Sequence, residues 1–150
     1  VIGGGFPEVY AEALAANRSL LDDVRSRVGG GLVTWAECGG LLWLARSLDG
    51  HTLAGTLPAD GHMTDRLTLG YRRASTRVAS PVGPEGTELR GHEFHYSTLN
   101  PPGDALDWSG RTAQGRAGHA GPTLLASYVH VHMGADPTLA ERLVAACGSG

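Results

Sequence analysis

The chain has 150 residues, 41% hydrophobic and 18% charged, with a net charge of −3 at pH 7. That suffices for one compact domain with a core and is too apolar for a disordered chain. The negative balance speaks against nonspecific nucleic-acid binding, no apolar run approaches the ~20 residues that span a bilayer, and no basic leader points to secretion.

Val1-Ile2 reads as a strand end and Gly3-Gly4-Gly5 as a loop. This opening in mid-pattern implies a fragment of a longer polypeptide. Pro7 fits a first helical position with Glu8 in the first turn, and Leu14, Leu21, Val24 and Val28 continue one helix up to Gly29. Leu32 to Ala36 is a short β-leaning run, followed by a turn at Cys38, a helix from about Gly40 to Arg46 and an Asp49-Gly50 turn. This β-loop-α-β-turn-α order is that of a parallel α/β sheet.

Beyond it the character changes. Arg66 to Ser75, Glu88 to Tyr96 and Leu124 to His132 read as strands, separated by loops rich in proline and glycine. Asp136-Pro137 is an N-cap and first-position pair that opens a last helix through about Ala146. Gly148-Ser149-Gly150 reads as a tail or an engineered scar. There is no internal repeat or interdomain linker.

Four stretches carry chemistry. In "TWAECGGLLWLARS", Cys38 lies at a strand-to-helix turn, where following amides stabilise a thiolate and the Gly39 N–H can donate to an oxyanion. The competing reading is a buried, inert cysteine. In "ASYVHVH", His130 and His132 stand at i and i+2 on a strand and share a face, where either can serve as base to Cys38. Zinc bound with His92 or His95 is the rival; no compact third and fourth ligand is evident, so no metal is assigned. "VIGGGFPE" exposes amides that can bind an anion or complete an oxyanion hole, without the spacing of a dinucleotide fingerprint. In "RGHEFHYS", His92, Phe94 and Tyr96 face one way and Glu93, His95 and Ser97 the other, which makes a polar cleft or a solvated edge strand.

Cys38 and Cys147 make no disulfide framework and fit a reducing cytoplasm. All 12 basic residues are arginine. Without lysine there is no Walker A loop, so an ATP site lies elsewhere if the reaction needs one.

Together, "GGGFPE", "AECGG", "RGHEFHYS" and "ASYVHVH" resemble the glutamine amidotransferase domain of the cobyrinic acid and hydrogenobyrinic acid a,c-diamide synthases, over Val1 to about Cys147. The resemblance implies a class I glutamine amidotransferase-like α/β fold, a flavodoxin-like open sheet with an added antiparallel portion, truncated at its N-terminus. Cys38 would attack the side-chain amide of glutamine, form a glutamyl thioester and release ammonia. His130 matches the family's base, and the amides of Gly39, Gly4 and Gly5 would hold the oxyanion. An upstream synthetase domain, not contained in this chain, would use ATP and Mg2+ to activate the a and c carboxylates of the corrinoid and would bind most of that substrate. A homodimer is compatible with this reading, and the site of action would be the bacterial cytoplasm.

Two positions depart from the wider superfamily. The glutamate that commonly follows the base His by two residues is His132 here, and the glutamine four residues after the nucleophile is Leu42. A Cys38–His130 dyad is the simplest inference, with Glu93, His95 and His132 as accessory candidates. The alternatives are a cobyric acid synthase-type domain, a domain that amidates a cell-wall precursor, and a noncatalytic module of the same fold. Lysine-free, arginine-rich composition fits a high-GC bacterium.

Overall fold

The computed structural model describes residues 1–148; the expected tail falls partly there, Gly148 closing the last helix, and Ser149 and Gly150 lie outside the described residues. Two sheets organise the chain. The first has β1 (Thr34–Glu37), β9 (Leu124–Ser127) and β8 (His119–Gly121) in the order β1-β9-β8, and Ile2 adds a parallel bridge to Ala36. β1 and β9 are parallel, with Thr34 opposite Leu124 and Glu37 opposite Ser127.

The second sheet is mostly antiparallel. Its path runs β10 (His130–Val131), β5 (Glu88–Asn100), β4 (Asp60–Thr76), β2 (Ser47–Leu48) and β3 (His51–Thr52); β6 (Leu106–Ser109) pairs with β4, and β7 (Gln114–Ala117) with β6. Asp49 and Gly50 close the β2–β3 hairpin with φ of 45° and 84°, the paired positive φ that a tight hairpin turn requires.

The helix expected from Pro7 to Gly29 is two helices. α1 covers Ala11–Ala16 and α2 Arg18–Gly29, divided at Asn17, whose side-chain oxygen accepts from the Leu20 N–H and so caps α2. An asparagine that bonds its own backbone in this way competes with helix continuation. The turn helix α3 spans Gly39–Leu44, two residues shorter at its end than expected, and α4 spans Thr138–Cys147 with the Thr138 N–H and Oγ1 donating to Asp136.

The core forms on both faces of the parallel sheet. Ala36 and Ala126 face a cluster that includes Leu21, Leu41, Leu44 and Leu57, while Trp35 and Leu125 face Ala74, Leu89, Leu106 and Leu139. This is the two-residue alternation of a strand buried on both sides. Trp35 is 1% exposed and the most voluminous fully buried side chain.

The run Leu124–His132, expected as one strand, is two. β9 ends at Ser127 in the parallel sheet, and after Tyr128 and Val129 the chain enters the antiparallel sheet as β10. The Ser127 hydroxyl accepts from the Val129 N–H at this crossing.

Candidate active site

Cys38 sits at the carboxyl end of β1 with φ 47° and ψ −101°. A left-handed, non-glycine residue costs on the order of 1–3 kcal/mol and persists only where its surroundings hold it. Here the Cys38 N–H donates to the Ser127 carbonyl at 2.8 Å, and the Cys38 carbonyl accepts from the Leu42 N–H at 3.0 Å.

The glycines after it are required by close approach. A Cβ on Gly39 would lie 2.8 Å from the backbone nitrogen and oxygen of Gly5, and one on Gly40 would collide with the Ile2 carbonyl. The glycine loop is therefore backed directly onto the elbow.

Burial pushes the Cys38 thiol up to about 11. The Gly39 N–H opposes that shift, and the charges of Glu8, Glu93 and Glu37 add to it. The resting group is a thiol, 6% exposed, 3.9 Å from the Phe94 carbonyl. Cys38 needs a base rather than carrying its own thiolate.

His130 enters the same region from the other sheet. It pairs with His92 across the β10–β5 ladder, and their rings stack with centroids 5.0 Å apart and planes 16° from parallel. Its ring lies against the glycine loop: a Cβ on Gly4 would come within 2.5 Å of His130 Cε1. Burial lowers its proton affinity first, then neighbouring His92 and His95, against an upward pull from Glu93. The imidazole is thus held neutral, the form that accepts a proton.

Glu37 ties the two halves together. Its Oε1 accepts the Val131 N–H at 2.9 Å, so the residue before the cysteine holds the residue after the histidine. Burial raises the Glu37 carboxyl above its ordinary value, opposed by that hydrogen bond.

Cys38, Gly39, Gly4, Gly5 and His130 are thereby brought together. The accessory candidates have other partners. Glu93, on the buried face of β5, accepts from Arg72 Nε at 2.8 Å, and the Arg72 guanidinium lies 5.0 Å over the Trp108 ring. His95 stacks on Tyr128 at 3.8 Å with its Nδ1 2.9 Å from the Ser97 carbonyl, and the Ser97 hydroxyl donates to the Tyr128 hydroxyl. His132 is exposed, one residue beyond β10. Among the described residues, no three His, Cys, Asp or Glu side chains gather to hold a metal ion.

Sequence reasoning missed Arg72, Tyr128 and the tie through Glu37. Glu93 stands opposite Gly70, whose missing side chain leaves room for the Arg72 guanidinium, since a Cβ there would lie 2.8 Å from Arg72 Nη1. That glycine, two before an arginine on the same strand face, is the available signal. The alternation read in "RGHEFHYS" holds: Glu93 and Ser97 are buried, and His92, Phe94 and Tyr96 are exposed.

Known proteins share this arrangement of sequence. The family described as "CobB/CobQ-like glutamine amidotransferase domain" matches residues 1–138. A hydrogenobyrinate a,c-diamide synthase of Streptomyces coelicolor is 45% identical over 98% of this chain and 31% of its own length. One from Thermobifida fusca is 43% identical over 97% of this chain and 32% of its own. A cobyrinate a,c-diamide synthase of Synechococcus is 36% identical over 97% of this chain and 34% of its own. The chain therefore spans about a third of the length of these relatives. A crystal structure of a glutamine amidotransferase superposes with a TM-score of 0.61 at 20% identity, over 97% of this chain and 77% of that one. The expected α/β class with an antiparallel portion is thus the fold observed.

Proposed function

Because the chain belongs to the CobB/CobQ-like glutamine amidotransferase domain family, we propose that it hydrolyses glutamine through Cys38 and His130 and thereby supplies ammonia for amide formation. The observation that carries this reading is the left-handed Cys38, backed by the Gly5 backbone at Gly39 while the His130 ring rests on Gly4.

The steps follow from those groups. His130 takes the Sγ proton as the sulfur attacks the side-chain carbonyl carbon of glutamine. The tetrahedral oxyanion is held by the N–H of Gly39 and those of the Gly4–Gly5 loop. His130 then returns the proton to the departing nitrogen, the C–N bond breaks, and ammonia leaves a glutamyl thioester on Cys38. Water, deprotonated by His130, attacks the thioester; glutamate is released and the thiol restored. A thiol held near 11 suits this order, since it stays protonated until the base removes the proton in the reaction.

The relatives' names point to the acceptor. The ammonia would amidate the a and c carboxylates of hydrogenobyrinic or cobyrinic acid, activated with ATP and Mg2+ by a synthetase portion outside residues 1–147. Within that reading Glu93 and His95 act on the base through their field rather than as a third catalytic group, and the exposed His132 takes no part in the proton transfer.

The test is intact-mass labelling with a diazo-ketone analogue of glutamine, on the chain and its Cys38→Ser and His130→Ala variants. One adduct per chain, abolished in the first variant and slowed in the second, supports the assignment. Labelling that persists without Cys38 overturns it.

A further inference from the structure

The exposed face of the β4–β5 ladder changes from apolar to basic along its length. Leu69 stands opposite Phe94, Tyr71 opposite His92, and Arg73 opposite Arg90. Directly opposed side chains in an antiparallel pair share a face, so two guanidinium groups are set side by side, a placement that costs stability. No carboxylate relieves it. Among the described residues, neither Arg73 nor Arg90 forms an ion pair, although Glu88 lies one pair further along the same face. Arg111, in the turn between β6 and β7, likewise forms none.

These three arginines converge on one cavity of about 490 Å³, together with His92, His132 and Tyr71. Arg72 also reaches it, its charge already met by Glu93. No aspartate or glutamate lines the space. In a chain with net charge −3, this is a concentrated cationic recess. Beside it lie Tyr71, 87% exposed, and Phe94 and Leu69, an apolar shelf continuous with the arginines. His92 in the cavity wall stacks on His130, so the recess lies one ring away from the proposed base.

We propose that this cavity is a subsite for the carboxylate arms of a polycarboxylate with a flat, apolar body. Guanidinium forks match carboxylates in bidentate geometry, and the shelf of Leu69, Tyr71 and Phe94 gives the ligand's body a surface to lie on. The occupant is the amide-accepting substrate, an assignment that rests on the reading above that the released ammonia goes to carboxylates. Arms not being amidated would be held by Arg73, Arg90 and Arg111 while the reacting arm meets the ammonia.

The experiment is calorimetric titration of the chain with benzene hexacarboxylate, with inorganic phosphate as the simple anion. Saturable binding is expected, weakening with added salt. Arg73→Gln and Arg90→Gln should each weaken it about tenfold. Arg18→Gln, the same charge change on exposed α2, should leave it unaltered. No binding at millimolar concentration, equal binding in all variants, or binding no tighter than phosphate overturns the subsite. Diazo-ketone labelling of the same samples separates the two readings. Normal labelling without polycarboxylate binding rejects the subsite alone, whereas arginine-dependent binding without labelling supports the subsite and rejects the glutaminase.

Discussion

The imidazole of His130 lies nearly parallel to that of His92, 5.0 Å away between centroids, on antiparallel strands that place the two residues directly opposite each other. A positive charge on His92 therefore opposes a proton on His130, and of the neighbouring charges it does most to lower that group. Replacing His92 by phenylalanine keeps an aromatic ring in the stack and removes this repulsion. The proton affinity of His130 should rise, so the acid limb of the Cys38 labelling rate should move to higher pH. An acid limb that stays in place in His92→Phe, measured by intact mass against pH, would show that the pair is only packed.

The buried thiol makes a second prediction. With Cys38 pushed up to about 11 and Cys147 exposed, iodoacetamide near neutral pH should modify Cys147 first. Raising the pH toward 11 should bring Cys38 into reaction. Peptide mapping after timed alkylation checks the order, and the reverse order would mean that the resting sulfur is already a thiolate.

Close approach at the elbow can be tested by adding one methyl. Gly39→Ala would set a Cβ 2.8 Å from the Gly5 backbone, which cannot swing aside as a side chain can. A loss of about 1–3 kcal/mol is expected from urea unfolding, with diazo-ketone labelling lost. Gly3→Ala, which meets nothing within 4 Å, serves as the comparison and should change stability by less than about 0.5 kcal/mol.

Arg72 and Glu93 form an ion pair at 2.8 Å with side chains only 11% and 9% exposed. Arg72→Met should destabilise the chain by about 3–5 kcal/mol, because it leaves a buried carboxylate without a partner. Arg72→Met combined with Glu93→Leu should recover most of that loss. A double variant no more stable than the single one, by urea midpoint, would locate the cost in packing against Trp108 instead.

Stability should also fall in mild acid. His95, His119 and His130 are held below the ordinary histidine value of 6.5, in each case first by burial. The unfolded chain takes up protons that the folded chain refuses, so this contribution is present above 6.5 and is lost as pH falls through the folded values. Melting temperature should be lower at about pH 5.5 than at about pH 7.5. His119→Gln should narrow the gap, since the His119 Nε2 is buried without a hydrogen-bond partner. A gap of unchanged width in that variant would remove His119 from the account.

What the sequence made legible was what depends on local pattern. The alternation of "RGHEFHYS", the positive-φ Asp49-Gly50 turn and the glycines after Cys38 each follow from short-range geometry. Hidden from it was what depends on which sheet a strand joins. "LLASYVHVH" has one continuous β pattern, yet its first half pairs with β1 and its second with β5. The split at Asn17 was hidden for a related reason, because helical spacing of Leu14, Leu21 and Val24 survives a one-residue interruption. Arg72 could not be assigned to Glu93 without knowing that Gly70 stands opposite Glu93.

Tyr128 and Val129 carry the chain from the parallel sheet to the antiparallel one, and the proposed nucleophile and base lie on opposite sides of that passage. The sulfur belongs to one slab and the imidazole to the other, so their spacing measures how the slabs are mated, as two halves of a lock measure whether a door is closed. Two polar bolts join the slabs at the site, the Val131 N–H on Glu37 and the Cys38 Sγ against the Phe94 carbonyl. A slip of about 1 Å between reacting groups costs roughly a hundredfold in rate, so a small shear would stop the chemistry while every helix and strand stayed folded.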